Sequence, residues 1–173
     1  TGPLHVGHCR GAIYGDVLAN LLKFNGNKVI KEYYINDYGN QIRSFVESIH
    51  LRIMEIKYKK EFPKKENLYP GLYIKEIANK ILKENLDLDL SDFDKNYEFL
   101  KKASITESME LIKKDLKLLG ISHDNFCSET DIVNNDLVNK AVKKLKEKKF
   151  AEEGFLQPPK GESNENWRKI KRL

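Results

Sequence analysis

The chain has 173 residues, of which 40% are hydrophobic and 33% charged, with a formal net charge of +5. That length suits one ordinary domain or a domain carrying an insertion, and no apolar run is long enough for a helical membrane span. Two cysteines, Cys9 and Cys127, exclude a disulfide-stapled scaffold and fit a reducing cytoplasm, while the positive balance suits a polyanionic partner without demanding one.

Of the 31 basic residues only Arg10, Arg43, Arg52, Arg168 and Arg172 are arginine. Bidentate phosphate recognition favours Arg, so the Lys and Asn richness reads as base-composition bias of the source genome. No secretory leader is visible and Thr1 is not a natural start, so the expectation is part of something longer.

The chain opens Thr1-Gly2-Pro3-Leu4-His5-Val6-Gly7-His8. Gly2-Pro3 is a turn pair, and Pro suits the first turn of a helix, which predicts a helix from near His5. Ile13, Val17, Leu21 and Phe24 recur at helical steps, a stripe expected to face a core. Gly7, Gly11 and Gly15 recur at steps of four and make one bare flank where a flat ligand or a sheet approaches the backbone. Asn25-Gly26-Asn27 tolerates positive φ and stops the helix. The amino terminus of such a helix seats anions, and two imidazoles three apart share its first turn. Three readings fit that spacing: a phosphate seat, a metal pair joined by Cys9, and ordinary helix-start residues.

Lys28 to Tyr34 alternates and is rich in β-formers, which predicts a strand. It runs into the polar loop Asn36-Asp37-Tyr38-Gly39-Asn40-Gln41, with the next helix expected around Gln41. In a parallel sheet the ligand crevice lies at the carboxyl ends of strands, so this loop and the start of the first helix converge at one edge. Asp37 is suited to orienting an amino or guanidinium group, and Gln41 to hydrogen-bonding a ribose or an α-amino group. The competing use is local: Asn36 and Asp37 capping the next helix, with Gly39 supplying a turn.

The run Thr-Gly-Pro-Leu-His-Val-Gly-His-Cys-Arg-Gly, followed after one helix by Glu32-Tyr33-Tyr34-Ile35-Asn36-Asp37-Tyr38-Gly39-Asn40-Gln41-Ile42, resembles arginyl-tRNA synthetase of the bacterial type. His5-Val6-Gly7-His8 matches the HIGH motif of class I synthetases, with Val in place of Ile. That tetrapeptide also fits other class I synthetases and HIGH-type nucleotidylyltransferases; the second motif is the one associated with the arginine enzyme.

Further along, Leu119-Gly120-Ile121 leads into Asn125 to Thr130, similar to the family's next core strand, and a helix is expected from about Asp136 to Lys149, with Leu137, Val138, Ala141, Val142 and Leu145 on one side. Phe150 to Gly154 resembles the start of the connective insertion. Tyr58 to Lys117 reads as a helical insertion, with one stripe at Tyr73, Ile77 and Ile81 and another at Phe99, Ile105, Met109, Ile112, Leu116 and Leu119. Such stripes pack cores, and no site is expected there; the acidic alternation from Leu86 to Asp92 is too short for a strand.

The resemblance implies an α/β fold, part of a Rossmann-like HIGH-type nucleotide-binding domain with a mostly helical insertion. Its expected divisions are 1–55 for the first part of the catalytic domain, 56–118 for the insertion, 119–150 for the returning core and 151–173 for the start of the connective insertion. It implies an arginine–tRNA ligase of protein synthesis, cytoplasmic and without a membrane association, whose partners are ATP, L-arginine and the arginine-accepting tRNA. By the family pattern His5 and His8 are the catalytic pair, stabilising charge as pyrophosphate leaves. Thr1, Gly2, Pro3, His5, Gly7 and His8 bind ATP, with Gly7 clearing space for adenine. Asp37, Gly39, Asn40 and Gln41 contact substrate. Mg²⁺ is implied by the ATP chemistry, with no protein metal ligands assigned. The preceding strand with its Asn, the KMSKS-type loop, the arginine-recognising residues and the anticodon-binding domain are not in the 173 residues, so a catalytic-domain fragment inactive by itself is expected. Another class I enzyme of this motif, or a non-catalytic RNA-binding module using the Lys-rich helices, are the alternatives.

Overall fold

The structure is a computed structural model, and it describes residues 2–154. In chain order these form α1 (Val6–Phe24), β1 (Glu32–Ile35), α2 (Asn40–Tyr58), α3 (Leu72–Glu84), α4 (Phe93–Leu118), β2 (Asn125–Ser128), α5 (Glu129–Asn134) and α6 (Leu137–Glu147). The chain divides into two compact units, Thr1–Glu129 and Thr130–Leu173. It is thus mixed α/β.

In the first unit β1 and β2 pair in parallel, Glu32 opposite Asn125 and Ile35 opposite Ser128. Parallel strands need a crossover, and here α2, α3 and α4 fill it. Those helices bury the main core. Ile42, Phe45, Val46, Ile49 and Ile53 line α2 at three- and four-residue steps, and meet Ile74, Ile77, Ala78 and Ile81 of α3 and Leu100 of α4. Leu90, from the stretch without a strand, is fully buried among them. A smaller cluster of Met109, Ile112, Leu116 and Ile121 packs against Leu4, Ala12, Tyr33 and Ile35, and so ties α4 to the start of α1 and to β1.

The helix stops follow their local chemistry. Gly26 sits at φ +82°, and the Asn27 N–H reaches back to the Leu22 carbonyl at 3.1 Å, closing α1 where Asn-Gly-Asn was expected to. Gly120 at φ +74° closes α4 in the same way, with Ile121 N–H donating to Leu116 O at 2.9 Å.

Three expectations need correction. Ile13, Val17, Leu21 and Phe24 are exposed, Phe24 at 89%, and the one buried residue of α1 is Ala19. No described residue covers that stripe. The strand is only Glu32–Ile35, because β2 supplies ladder partners for those four residues; before it, the Lys31 N–H donates instead to the Asp124 carboxylate at 2.7 Å. On α4 the buried face is Leu100, Ser104, Ser108, Met109, Ile112 and Leu116, while Phe99 and Leu119 are exposed. Hydrophobicity misses this face because serines occupy two of its positions, and small side chains let packed helices approach. The helix expected from about Asp136 to Lys149 is α6, Leu137–Glu147, with Leu137, Val138 and Leu145 exposed.

His50 is buried on α2, where its Nε2 donates to the Leu90 carbonyl at 3.0 Å and its ring meets Phe93. Burial holds its pKa below the ordinary imidazole value, against the opposing pull of the Leu90 carbonyl and of Asp92 and Glu47. A depressed folded-state pKa means the unfolded chain takes up the proton first, so stability is lost as pH falls through about 6.5, the unfolded value, and levels off below the folded one. The melting temperature is therefore expected to drop between pH 7.5 and 5.5. His50→Gln, which keeps a donor for Leu90 but cannot ionise, should flatten that interval; an unchanged pH profile in the variant would assign the loss to other groups.

Candidate functional site

The first turn of α1 is capped by histidines. His5 occupies the N-cap in an extended conformation, and its Nδ1 accepts from the Gly7 N–H at 3.1 Å. His8, three residues on, returns the favour: its Nδ1 accepts from the His5 N–H at 3.4 Å. This is the reciprocal geometry of a capping box with imidazoles in place of Ser and Glu. The two rings stack at 3.7 Å between centroids with 22° between planes.

The cap decides the tautomer. A ring nitrogen that accepts carries no hydrogen, so both neutral rings are assigned their proton on Nε2. Both side chains are exposed, and each keeps an Nε2–H donor that the cap does not use. Helix-start duty and anion binding are therefore compatible in one pair of residues. A Cβ on Gly7 would stand 3.0 Å from Cε1 and 3.2 Å from Nδ1 of His5, so a side chain there would press on that ring.

The pair opens on a cleft of about 810 Å³. Gly2, Pro3, His5, Gly7 and His8 line it together with Gly11, so five of the six residues expected to bind ATP share one surface; Thr1 lies outside the described residues. Gly11 and Gly15 have open space where a Cβ would be, as a bare flank should. The opposite wall was not anticipated. It comes from Tyr33 of β1, Tyr69 and Tyr73 around the start of α3, Ile112 and Leu116 of α4, and His123. The stretch from Tyr58 to Lys117 thus supplies four lining residues where only core packing was expected. A sequence cue existed in Tyr69-Pro70-Gly71-Leu72-Tyr73, two aromatics around a Pro-Gly helix start.

Three polar contacts hold the two sides of this cleft. The Tyr69 N–H donates to Ser48 Oγ at 2.9 Å, an Arg52 N–H donates to the Pro70 carbonyl at 3.0 Å, and the Leu4 N–H donates to Asp115 Oδ2 at 3.3 Å. The Arg52 guanidinium also lies 3.8 Å over the Phe62 ring.

The loop after β1 serves a second, smaller cleft of about 110 Å³, lined by Tyr34, Asn36, Asp37 and Phe45 among others, and sharing Tyr33 and Ile112 with the first. Asp37 is buried, and its Oδ2 accepts from Ser128 Oγ at 2.6 Å, which ties the carboxyl end of β1 to that of β2. Asp37 does not line the histidine cleft. Gly39, Asn40 and Gln41 are exposed and line neither cleft: Gly39 is the N-cap of α2 at φ +88°, and Asn40 and Gln41 begin the helix. The N-cap position is taken by Gly39 itself, in keeping with the turn expected of it.

Behind α1, a further cleft of about 330 Å³ holds Gly15, Asp16, Lys31 and His123. Lys31 Nζ and Asp16 Oδ1 stand 2.8 Å apart, both mostly buried, and the hydrogen bond from Lys31 lowers the Asp16 pKa. The Nδ1 of His123 is buried with no partner among the described residues. His5, His8 and Cys9 do not assemble as a metal trio; among the described residues no group of three or more His, Cys, Asp or Glu side chains is placed to hold an ion.

A sequence profile for tRNA synthetases class I (R), catalytic domain, matches residues 1–155. An arginine–tRNA ligase of Pelagibacter ubique is 54% identical over 168 residues, 96% of this chain and 29% of that protein. One of Wolbachia pipientis is 42% identical over all 173 residues and 30% of its own length. A crystal structure from Campylobacter jejuni, of a protein provisionally assigned as an arginyl-tRNA synthetase, superposes with a TM-score of 0.74 at 34% identity, covering 84% of this chain and 32% of that one. The chain therefore spans about 30% of the length of the curated relatives it matches.

Proposed function

The chain belongs to the family of class I tRNA synthetase (R) catalytic domains, and from that premise we propose that the protein carrying it is an arginine–tRNA ligase, cytoplasmic, acting on ATP, L-arginine and the arginine-accepting tRNA. The observation that carries the proposal is the imidazole cap: two Nε2–H donors held side by side at a helix amino terminus, on the rim of a cleft that takes a ligand of nucleotide size.

In this proposal β1, β2 and α1 are part of a Rossmann-like nucleotide-binding domain, residues 1–55 and 119–150 its core, 56–118 its helical insertion, and the connective insertion begins in 151–173, a segment mostly outside the described residues. ATP phosphates meet His5 and His8 and the positive end of α1, and adenine lies along the bare flank at Gly7 and Gly11. The arginine carboxylate attacks the α-phosphorus, the bond from that phosphorus to the bridging oxygen breaks, and pyrophosphate leaves with its charge spread onto the two imidazole donors. The 2′-hydroxyl of the terminal adenosine then attacks the activated carbonyl and AMP departs. The protein needs no nucleophile of its own. Magnesium enters as part of the substrate, on the ATP phosphates, and no residue is assigned to it. Asp37, with Gly39, Asn40 and Gln41, contributes from the neighbouring loop; the Asp37 carboxylate, already bound to Ser128, acts through the shape of the strand ends.

The test is ATP–pyrophosphate exchange by the full-length protein with each amino acid in turn, with and without tRNA. Exchange that depends on arginine and tRNA is expected. Exchange driven by a different amino acid would move the protein to another class I specificity, and salt-sensitive RNA binding with no ATP binding would replace the enzyme by an RNA-binding module.

A further inference from the structure

Two glycines far apart in sequence make room for the same ring. A Cβ on Gly71 would stand 2.5 Å from Cε1 and 2.7 Å from Cδ1 of Tyr73, and a Cβ on Gly2 would stand 3.1 Å from its Oη and 3.2 Å from its Cζ. The Tyr73 ring is therefore seated between the backbone that starts α3 and the turn that leads into α1. We propose that Tyr73 is a positioning residue for the histidine pair: its ring clamps the Gly2-Pro3 turn against the helical insertion and so fixes the direction in which His5 and His8 present their donors.

Gly71 sits at φ −57° and ψ 152°, a conformation open to any residue, so what forbids a side chain there is the ring and not backbone strain. The backbone on that side cannot yield easily. Tyr69 N–H is held by Ser48 and the Pro70 carbonyl by Arg52, both from α2, whose face at Phe45, Ile49 and Ile53 is core. On the other side Leu4 N–H is held by Asp115 of α4. Between the clamp and the rings lie only Pro3, with its fixed φ, and Leu4. Because His5 and His8 cap each other, a displaced turn moves both imidazoles together. Displacements of about 1 Å at a charge-stabilising group cost up to roughly 100-fold in rate.

This inference rests on the proposal that the histidine cleft takes ATP. In the full-length protein Tyr73→Ala is expected to lower kcat for arginine-dependent exchange by roughly tenfold or more with KM for arginine unchanged, and Tyr73→Phe, which keeps the ring, to recover most of the loss. Gly71→Ala, which pushes the ring out of its seat, should reproduce the defect of Tyr73→Ala. The two should not add: in the Tyr73→Ala background there is no ring to displace, and Gly71→Ala should cost nothing further. Wild-type kcat for Tyr73→Ala, or a Gly71→Ala defect that persists in full without the ring, overturns the inference. No exchange by the unmutated protein would instead overturn the proposed function, and the same non-additivity read in melting temperatures would still decide where the ring is seated.

Discussion

Replacing His8 with Ala in the full-length protein is expected to lower arginine-dependent ATP–pyrophosphate exchange by roughly 10²–10³-fold, the range seen when one preorganised donor to a developing charge is removed. The structure adds a complication that a sequence motif conceals. His8 is also the N3 residue of the capping box, with its Nδ1 on the His5 N–H. Its loss removes a cap contact worth about 1 kcal/mol and loosens the ring of His5 stacked on it. A drop in activity for His8→Ala alone would thus not separate a donor to phosphate from a support for the helix end.

His8→Glu separates them. Glutamate is a natural N3 partner in a capping box and should restore the melting temperature, yet its ionised carboxylate has no hydrogen to donate to a phosphate. Exchange should stay low in both variants while stability recovers only with Glu. Near-normal exchange by His8→Ala, or full recovery by His8→Glu, would reduce the pair to helix-start residues.

The parts of this site that were legible in the sequence are local. The spacing of His5 and His8, the Gly7–Gly11–Gly15 flank and the Asn-Gly-Asn stop act within one or two helical turns, and each is where periodicity and capping chemistry place it. What was not legible depends on packing across long separations. Tyr73 reaches the histidine cleft only because the start of α3 comes beside the Gly2-Pro3 turn, and Asp37 meets Ser128, 91 positions away, only because the two strands pair in parallel. Periodicity also states what a helix is able to bury and not what covers it, which is why the stripe from Ile13 to Phe24 lies exposed. On α4 the error ran the other way, since Ser104 and Ser108 are buried at positions a hydrophobic count passes over.

Phe45→Ala is expected to be the most damaging single substitution for stability, at about 3–5 kcal/mol. Phe45 is 1% exposed, follows Ile42 on a continuous buried α2 face, and packs edge-on to Tyr69, with ring centroids 5.9 Å apart. Truncation removes the transfer energy of a large aromatic, leaves a cavity between α2 and α3 that the rigid helices cannot close, and forfeits the ring pair, itself worth about 0.5–1.5 kcal/mol. Against a typical total of about 5–15 kcal/mol, that is a large part of the stability. The loss should also be felt in function before global unfolding. Phe45 lines the small cleft beside Asp37 and supports Tyr69 in the wall of the histidine cleft, so KM for ATP should rise at temperatures where the variant is still folded. Leu145→Ala on α6 is the matched control: the side chain is 44% exposed, and its removal should stay within about 0.5 kcal/mol. Urea unfolding followed by circular dichroism reads both. A midpoint for Phe45→Ala within error of the Leu145→Ala midpoint would mean that the α2–α3 core is not closed around this ring, and with it would go the support for the aromatic wall.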